Sequence, residues 1–541
     1  MSSADFLLVR PLKLDGAVSF SRASEATYWD SSGVLQTAPP NTLRITYDPA
    51  DLSKAPYALV EQARENLLRH SEQLNFRPPW GASNLLTIAD QAVAPDGSVT
   101  ADRLVAGTEN LASHYLDQEV AGSFANGDTY TFSVFARADT LDRIALDMYY
   151  AIGSTGGYRA VFNLVDGTVE SKGGIVPDGA VSITRLPGGY CRCSISGTVT
   201  VAATYPTRLL TRMLLVNASR GTSWLSAGNE GVFAWGAQLE SGARATSYIE
   251  TGVASVTCAA DVVGPGAGMV YSNVPITEPL WVAGTYALGA RVRNAQNFVF
   301  ESLAAGNTAA LTDKTKWLPL GITNRLKMFD KAVNSQTTAP DSLTVVVKAG
   351  QLANTLTLLN AAGAEVTVTQ SESGYSRKVS MVSHNVTNWY DFYYQEPQWV
   401  GDITFGDVPP YINSLLTVHV KSPGNTAALG GFFFGRAKFI GTTQWGLRAG
   451  ILSYSGEEED EFGNVTLMPR DSAKKMNFEV SIPRGYEDEV YRFMRAADNV
   501  EMVAIASTNW SMTQSYGYLG QWEVPLGIEG EKMPVEWRGL I

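Results

Sequence analysis

The sequence predicts an all-β, multidomain protein, with jelly-roll or β-sandwich domains and a small aromatic-rich β-module between them. Three observations carry this prediction. Many short runs alternate apolar and polar residues, which is the period of a half-buried strand. Turn-forming dipeptides separate these runs, and the 541 residues include 50 glycines. Charged residues make up only 17% of the chain, against about 25% in typical soluble domains.

The first predicted domain is a jelly roll over residues 58–252. Residues 129–137 and 158–164 alternate well, and the second run ends at the hairpin dipeptide Asp166-Gly167. A further hairpin is expected around 187–189. Many short strands at this spacing are typical of a sandwich or jelly roll.

The segment before this domain, residues 1–57, has too little apolar surface to fold alone. We expect it to be extended and to lie across a neighbouring protein. The clearest helical pattern of the chain follows it, from Ala58 to Leu74. Its apolar residues Leu59, Ala63 and Leu67 recur near the helical period.

The second half of the chain divides into three predicted parts. Residues 253–275 are rich in Gly and Ala and are expected to form a linker. Residues 276–335 are expected to form the small aromatic-rich β-module. Residues 336–541 are expected to form a C-terminal β-sandwich, with strands such as 342–347 and 415–420.

Charge and cysteine content exclude several classes of protein. The net charge is −12, and no basic tract is present, so we expect no nucleic-acid partner. The three cysteines, Cys191, Cys193 and Cys258, lack zinc or redox spacing and are interpreted as small buried apolar residues. Their use fits folding in a reducing cytoplasm. The N-terminus does not resemble a signal peptide, and no apolar run predicts membrane insertion.

The sequence contains none of the common catalytic or metal-binding motifs. The sequence has no Gly-x-Ser-x-Gly elbow and no His-Glu-x-x-His motif, and its four histidines are scattered. We therefore expect a non-enzymatic protein without cofactor or metal. The acidic run 457–461 is interpreted as a solvated loop, with a cation site as the alternative.

The most informative segment runs from Trp235 to Thr251. Trp235, Ala237 and Leu239 alternate with smaller or polar residues, which predicts a core strand followed by an exit turn. The sequence WGAQLE, followed by ATSYIET, resembles the closing signature of carbohydrate-binding-module-like jelly rolls in virion proteins of tailed bacteriophages.

Other segments resemble the same proteins in the expected order, over roughly residues 18–261. They include 20–28 and 65–72, with Thr257-Cys258-Ala259-Ala260-Asp261 departing from the usual Arg before Ala-Asp. Parts of the second half, such as 323–330, are similar to a phage C-terminal unit. The resemblance implies a virion protein of the phage tail, assembled in the bacterial cytoplasm. Because residues 1–57 lack a core of their own, we expect this segment to dock the protein to the virion.

Aromatic side chains are the remaining candidates for ligand binding. Trp and Tyr faces pack against the C–H bonds of sugars, and they also mark protein interfaces. The candidate glycan-binding residues are Trp281, Tyr286 and Trp317 in the small module, and Tyr115 and Tyr149 on the jelly roll. For each of them the alternative is a place in the core or in hairpin stacking.

The resemblance implies a fibre, fibre tip or baseplate-associated protein that binds a host-surface glycan or pilus. Its expected partners are other phage tail proteins and further copies of itself, a homotrimer by analogy. Two alternatives stay open: a purely structural tail or collar connector, and a glycan depolymerase.

Overall fold

A computed structural model shows two compact units of different construction. Residues Phe20–Val263 form one of them, which we call the sandwich unit. The discontinuous unit combines Met1–Ser19 with Gly264–Ile541. The structure describes residues 5–14, 16–108, 113–122, 124–149, 157–173, 176–177, 179–199, 208–219, 221–383, 388–394, 398–459, 465–508, 511–525 and 532–540.

Two antiparallel six-stranded sheets face each other in the sandwich unit. The strands of sheet A, in spatial order, are Val181–Arg185, Tyr190–Thr198, Thr129–Ala138, Gly231–Ser241, Ala101–Ala106 and Leu85–Ala92. The strands of sheet B are Thr168–Gly173, Gly157–Asn163, Arg143–Tyr149, Arg208–Val216, Tyr115–Ala121 and Gly81–Ser83. Apolar side chains that alternate along both sheets, such as Phe132 and Leu146, form one shared core. The all-β prediction is confirmed.

Four short strand pairs complete the sandwich unit and correct three predictions. They are Phe20–Ser21 with Val262–Val263, Ala26–Trp29 with Leu35–Ala38, Arg44–Thr46 with Tyr57–Leu59, and Arg64–Asn66 with Val256–Cys258. The helix expected from Ala58 to Leu74 is therefore wrong, because backbone pairing outweighs its leucine spacing. Residues 20–57 belong to this unit, and so does the first part of the expected linker 253–275.

A buried ion network joins the two ends of the sandwich unit. Arg22 and Asp261 are both fully buried, and their side chains form an ion pair at 3.0 Å. Arg44 donates to the other Asp261 oxygen at 2.6 Å and to Glu61 at 2.9 Å. The Arg22 guanidinium also donates to backbone carbonyls, including that of Pro39 at 2.9 Å. These contacts give a structural reason for Arg22 in segment 20–28 and for Asp261 near the end of the sandwich unit.

The Trp235–Thr251 segment is the core strand and exit turn that its pattern predicts. Gly236 has φ 63° at a register shift, where a side chain would meet the Phe135 ring. The buried side chains of Gln238 and Glu240 accept hydrogen bonds from the amides of Ile249 (2.7 Å) and Thr246 (2.9 Å). The signature thus describes how the unit closes, and its tryptophan lies in the core.

One large sheet of thirteen strands dominates the discontinuous unit. Along its main path the order is Gly268–Ser272, Thr337–Lys348, Leu415–Thr443, Asp5–Pro11, Met502–Ile505, Gln514–Trp522, Met533–Gly539, Ser472–Ser481 and Arg448–Ser453. Its further strands are Thr355–Ala362, Glu365–Gln370, Ser376–Ser380 and Ile403–Phe405. The N-terminal strand therefore lies inside a sheet built from the far end of the chain.

This placement corrects the prediction of a separate docking segment over residues 1–57. Phe6, Leu7, Leu8 and Val9 are all buried in the cores of the discontinuous unit. The strand pairs on one side with Leu415–Thr443 and on the other with Met502–Ile505. The apolar surface that the segment lacks on its own is provided by residues more than 400 positions away.

Two main cores lie along the 29-residue strand Leu415–Thr443. Its first part packs into one core, with Val418 and Phe434, and its end packs into the other, with Ile440. Helix α2 (Glu487–Ala497) covers the second core with Val490 and Met494. The expected small module corresponds to a three-stranded sheet, which is counted within this unit: Arg291–Arg293, Phe298–Ser302 and Trp317–Ile322.

The other elements of the discontinuous unit are short. Helix α1 spans Trp389–Tyr394, and 3-10 turns span Asn324–Phe329 and Ser511–Thr513; a third such turn, Pro187–Gly189, lies in the sandwich unit. Two-stranded pairs are Val382–Ser383 with Gln398–Trp399 and Gly456–Glu459 with Val465–Met468. Within the described ranges, no helix is long and apolar enough to cross a membrane.

Candidate ligand-binding surfaces

Tyr115 and Tyr149, two of the predicted glycan-binding residues, lie on the outer face of sheet B. Their strands flank Arg208–Val216 on either side. The guanidinium carbon of Arg212 lies 3.8 Å from the Tyr115 ring centroid and 5.6 Å from that of Tyr149. The structure thus brings the two tyrosines together around one arginine, in a cation–π arrangement.

A row of alternating charges crosses sheet B at the same level. Asp117, Arg212, Asp147 and Arg159 are cross-strand neighbours, one from each of four adjacent strands. Arg159 donates to both oxygens of the fully buried Asp147, at 2.7 and 2.6 Å, and Tyr149 donates to it at 2.9 Å. Burial, together with the charge of Asp147, raises the pKa of Tyr149. The row is largely satisfied internally, which favours a structural role for these tyrosines.

The three predicted residues of the small module form part of its packing. Trp317 is 1% exposed and donates its indole N–H to the carbonyl of Ala309 at 2.9 Å. Tyr286 packs edge-on against Trp317 at 5.3 Å, and its hydroxyl donates to the Val282 carbonyl at 2.6 Å. Trp281 is half-buried, and its indole N–H has no hydrogen-bond partner among the described residues. The core alternative therefore describes Trp317 and Tyr286 better than a binding platform does.

An exposed aromatic surface lies elsewhere, on helix α1 of the discontinuous unit. Trp389, Tyr390, Tyr393 and Tyr394 are each between 69% and 77% exposed. Rings four residues apart pair along the helix: Trp389 with Tyr393 at 6.3 Å and 22°, and Tyr390 with Tyr394 at 5.0 Å. Trp399, 63% exposed, follows in the next strand. We call these five residues the aromatic surface.

Sequence reasoning missed the aromatic surface, although a signal was present. The run from Trp389 to Tyr394 contains five aromatic residues in six positions. Such a run is more often buried in a core, and only the structure shows that the rings of Trp389, Tyr390, Tyr393 and Tyr394 are exposed. Clusters of exposed Trp and Tyr are rare on soluble proteins and mark binding surfaces.

The cysteines and histidines were the remaining candidates for metal binding. Cys191, Cys193 and Cys258 are buried and free, as predicted, and burial raises the pKa of Cys193 well above its usual range. His419 accepts or donates a hydrogen bond with Thr344, while His384 lies outside the described residues. Among the residues that the structure describes, no group of three or more His, Cys, Asp or Glu is placed to hold a metal ion.

No protein-family model and no curated protein matches the sequence. Among solved structures, the chain is similar to the enzymatically active domain of tailspike protein 4 of bacteriophage CBA120. The identity is 9% and the TM-score 0.20, over 33% of this chain and 21% of that one. The chain thus spans about a fifth of the tailspike domain.

Two further solved structures share a comparable degree of similarity. The tandem CBM22 domains of Paenibacillus barcinonensis Xyn10C match at 8% identity and TM-score 0.21, over 70% of this chain and 99% of that one. The GH78 rhamnosidase of Bacillus sp. GL1 matches at 10% identity and TM-score 0.17, over 83% and 36%. TM-scores at this level carry no argument about a shared fold or activity.

Proposed function

We propose that this chain is a virion protein of the distal tail of a bacteriophage and binds a host-surface glycan without cleaving it. The phage-like sequence segments support the virion assignment. The aromatic surface on helix α1 is the observation that carries the binding role. We therefore propose the aromatic surface as the ligand-binding site, in place of the tyrosines of sheet B and the small module.

The composition of the aromatic surface favours a glycan as its ligand. Its five members are all Trp or Tyr, which combine an apolar ring with a polar N–H or O–H group. Pyranose rings offer C–H faces for stacking and hydroxyls for the polar groups, so they match both halves of these side chains.

A single exposed stacking surface binds weakly, and we propose that assembly multiplies it. Copies arranged around a symmetry axis raise avidity by a factor of about 10² to 10⁴ without new contacts. A homotrimer is the proposed state. Light scattering coupled to size exclusion should give three times the monomer mass of 58.3 kDa.

Binding should be tested on a glycan array with the full-length protein and with a W389A/Y393A variant. The double substitution removes one stacked pair and should lower glycan binding by about tenfold or more. The matched control is W445A, because Trp445 is 98% exposed in the same unit but outside the aromatic surface. Equal loss in both variants, or no glycan bound by the wild type, would overturn the binding role. Release of reducing ends from a bound polysaccharide would establish a depolymerase instead.

A structural connector is the second candidate, favoured by a projecting β-hairpin. The hairpin pairs Gly456–Glu459 with Val465–Met468, and it continues from Arg448–Ser453, the edge strand of the large sheet. Glu457, Glu458 and all four residues of Val465–Met468 are exposed, with Leu467 at 66%. A two-stranded ribbon of this kind is marginally stable alone in water and gains from a neighbouring protein.

The position of the chain in an intact virion separates the two candidates. Antibody labelling at the distal end of the tail, with loss of adsorption in the W389A/Y393A phage, would support receptor binding. Labelling at the collar or along the tail, with normal adsorption by that phage, would support the connector. Either result is independent of the oligomeric state.

A further inference from the structure

A small half-open cavity lies in the sandwich unit, on the face of sheet A that is turned away from the shared core. Its volume is about 180 Å³. Phe135 and Arg192, direct neighbours on adjacent strands of sheet A, both line it. The short strand pairs near the start of the unit and the exit turn supply the rest of its lining. Five aromatic residues and one arginine stand out in that lining: Tyr28, Trp29, Tyr57, Phe135, Tyr248 and Arg192.

Arg192 is the charged group of this cavity that lacks an ion-pair partner among the described residues. Its Nη1 donates to the carbonyl of Thr246 at 2.6 Å, and its Nη2 donates to the hydroxyl of Ser133 at 3.3 Å. Its Nε–H is buried and has no acceptor in the described part of the chain. Two of the five N–H groups of the guanidinium therefore have protein acceptors. The residue is only partly buried, so a ligand in the cavity can reach it.

The two carboxylates whose charges act on Arg192 are already engaged by other groups. Glu61, which also lines the cavity, accepts from Arg44 at 2.9 Å and from the amide and hydroxyl of the exit turn. Glu240 accepts hydrogen bonds from its own strand and from the exit turn. Burial lowers the pKa of Arg192 more than these charges raise it. The cation is thus incompletely compensated within the fold, and an anionic ligand would complete it.

The aromatic residues give the cavity walls that suit a sugar ring. Tyr57 is 37% exposed, and Tyr28 and Trp29 are partly buried. The Trp29 ring packs edge-on against Phe135 at 6.3 Å, and the guanidinium carbon of Arg192 lies 5.1 Å from the same ring centroid. Phe135 thus holds an aromatic wall and the cation in place together. Such rings pack against the C–H bonds of a pyranose, and the tyrosine hydroxyls offer polar contacts.

The size of the cavity limits the ligand to a single sugar ring. Pockets for drug-sized molecules have volumes of about 300–1,000 Å³, and this one holds about 180 Å³. A longer glycan could enter only with a terminal or side-branch residue.

We propose that this cavity binds a hexuronic acid residue, with its carboxylate against Arg192 and its ring against Tyr28, Trp29 and Tyr57. A planar carboxylate matches the fork of a guanidinium group. Phosphate esters carry a charge of about −1.5 to −2 at neutral pH, so Glu61 in the lining would repel them more than it repels a carboxylate. The site is separate from the aromatic surface of helix α1 and does not rest on it.

Titration of the full-length protein with glucuronate, glucose and inorganic phosphate, followed by ligand-observed NMR or calorimetry, tests the proposal. Glucuronate should bind about tenfold more tightly than either of the others, and R192Q should lose about tenfold in glucuronate affinity. R192K keeps the charge without the planar fork and should lie between R192Q and the wild type. The matched control is R137Q. Arg137 also packs on an aromatic ring of sheet A, with its guanidinium carbon 4.6 Å from Phe233, but it does not line the cavity.

A second variant keeps the test decisive if R192Q does not fold. Tyr57 is exposed at the cavity, so Y57A should fold, as its thermal unfolding will show, and should lower glucuronate affinity by about threefold or more. Four results would each overturn the proposal: no glucuronate binding by the wild type, equal binding of glucose, phosphate binding as tight as glucuronate, or unchanged affinity in both R192Q and Y57A. W389A/Y393A should leave glucuronate binding intact, so this site and the aromatic surface stand or fail separately.

Discussion

The two units of the chain close their folds by different physical means. In the sandwich unit, residues near its two ends are joined by buried charges, with Arg22 and Arg44 meeting at Asp261. The discontinuous unit is instead completed by an apolar strand, Asp5–Pro11, inserted between strands from the other end of the chain. The first closure depends on ion pairing and hydrogen bonds, and the second on the burial of apolar surface.

Each unit is therefore vulnerable at a different place. A buried ion pair that loses one partner leaves an uncompensated charge, whereas a sheet that loses a central strand exposes two cores at once. The chain passes from one unit to the other after Ser19 and again after Val263. Changes that affect one closure should therefore leave the other unit folded.

Deletion of residues 1–11 should have the largest effect. It removes Phe6, Leu7, Leu8 and Val9, each fully or nearly fully buried, at about 1.5–3 kcal/mol per side chain. The sum is comparable to the whole stability of a domain, about 5–15 kcal/mol. We expect the discontinuous unit to unfold, as measured by hydrogen exchange of its peptides.

The sandwich unit should keep its hydrogen-exchange protection in the same sample, which is the internal control. A full-length variant K13A, outside the strand, should behave as the wild type does. Normal protection of the discontinuous unit after the deletion would show that Asp5–Pro11 is a removable attachment, as the sequence alone suggested.

Replacement of Asp261 by Ala should come next in size and act on the other unit. It leaves the guanidinium groups of Arg22 and Arg44 buried without their shared carboxylate, at a cost of about 3–5 kcal/mol. Urea unfolding monitored on sandwich-unit peptides measures this loss. The surface pair Arg208–Glu119 offers the matched control, since E119A should cost less than about 1 kcal/mol. Similar costs for the two variants would refute the role of the network.

Local structure in the sandwich unit could be predicted from the sequence. The hairpin at Asp166-Gly167 joins Gly157–Asn163 to Thr168–Gly173, with Gly167 at φ 66°. The hairpin around 187–189 is also found, between Val181–Arg185 and Tyr190–Thr198. In both places the turn residues and the alternation of the strands are adjacent in sequence, so the information is local.

The partners of the N-terminal strand could not be predicted, because they are remote in sequence. The run Phe6–Val9 is apolar enough for a buried strand, but nothing in it indicates pairing with Leu415–Thr443. The burial of the candidate site residues could not be predicted for a related reason. Aromatic content was visible at Trp317 and at Trp389 alike, and only packing made the first buried and the second exposed.

The smallest expected effect is a pH dependence of the stability of the sandwich unit, which the discontinuous unit should not share. Burial, reinforced by the charge of Glu250, raises the pKa of Glu72 to about 7, from about 4.5 in an unfolded chain. The folded state therefore binds the proton more tightly, so stability falls as pH rises from about 4.5 to 7 and is level above that. In E72Q, which keeps an acceptor for the Tyr248 hydroxyl, this loss is absent.

We expect E72Q to be more stable than the wild type at pH 8, by about 1–2 kcal/mol after allowing for partial solvent exposure, and equal to it near pH 4. Urea unfolding of the sandwich unit at both pH values measures the difference. In E250Q the loss of stability with rising pH should occur at lower pH than in the wild type, but it should remain. The reason is that burial raises the pKa of Glu72 most, and the repulsion by Glu250 adds a smaller part. If the discontinuous unit showed the same difference, or if E72Q were less stable at pH 8, Glu72 would not be a carboxyl held at a burial cost.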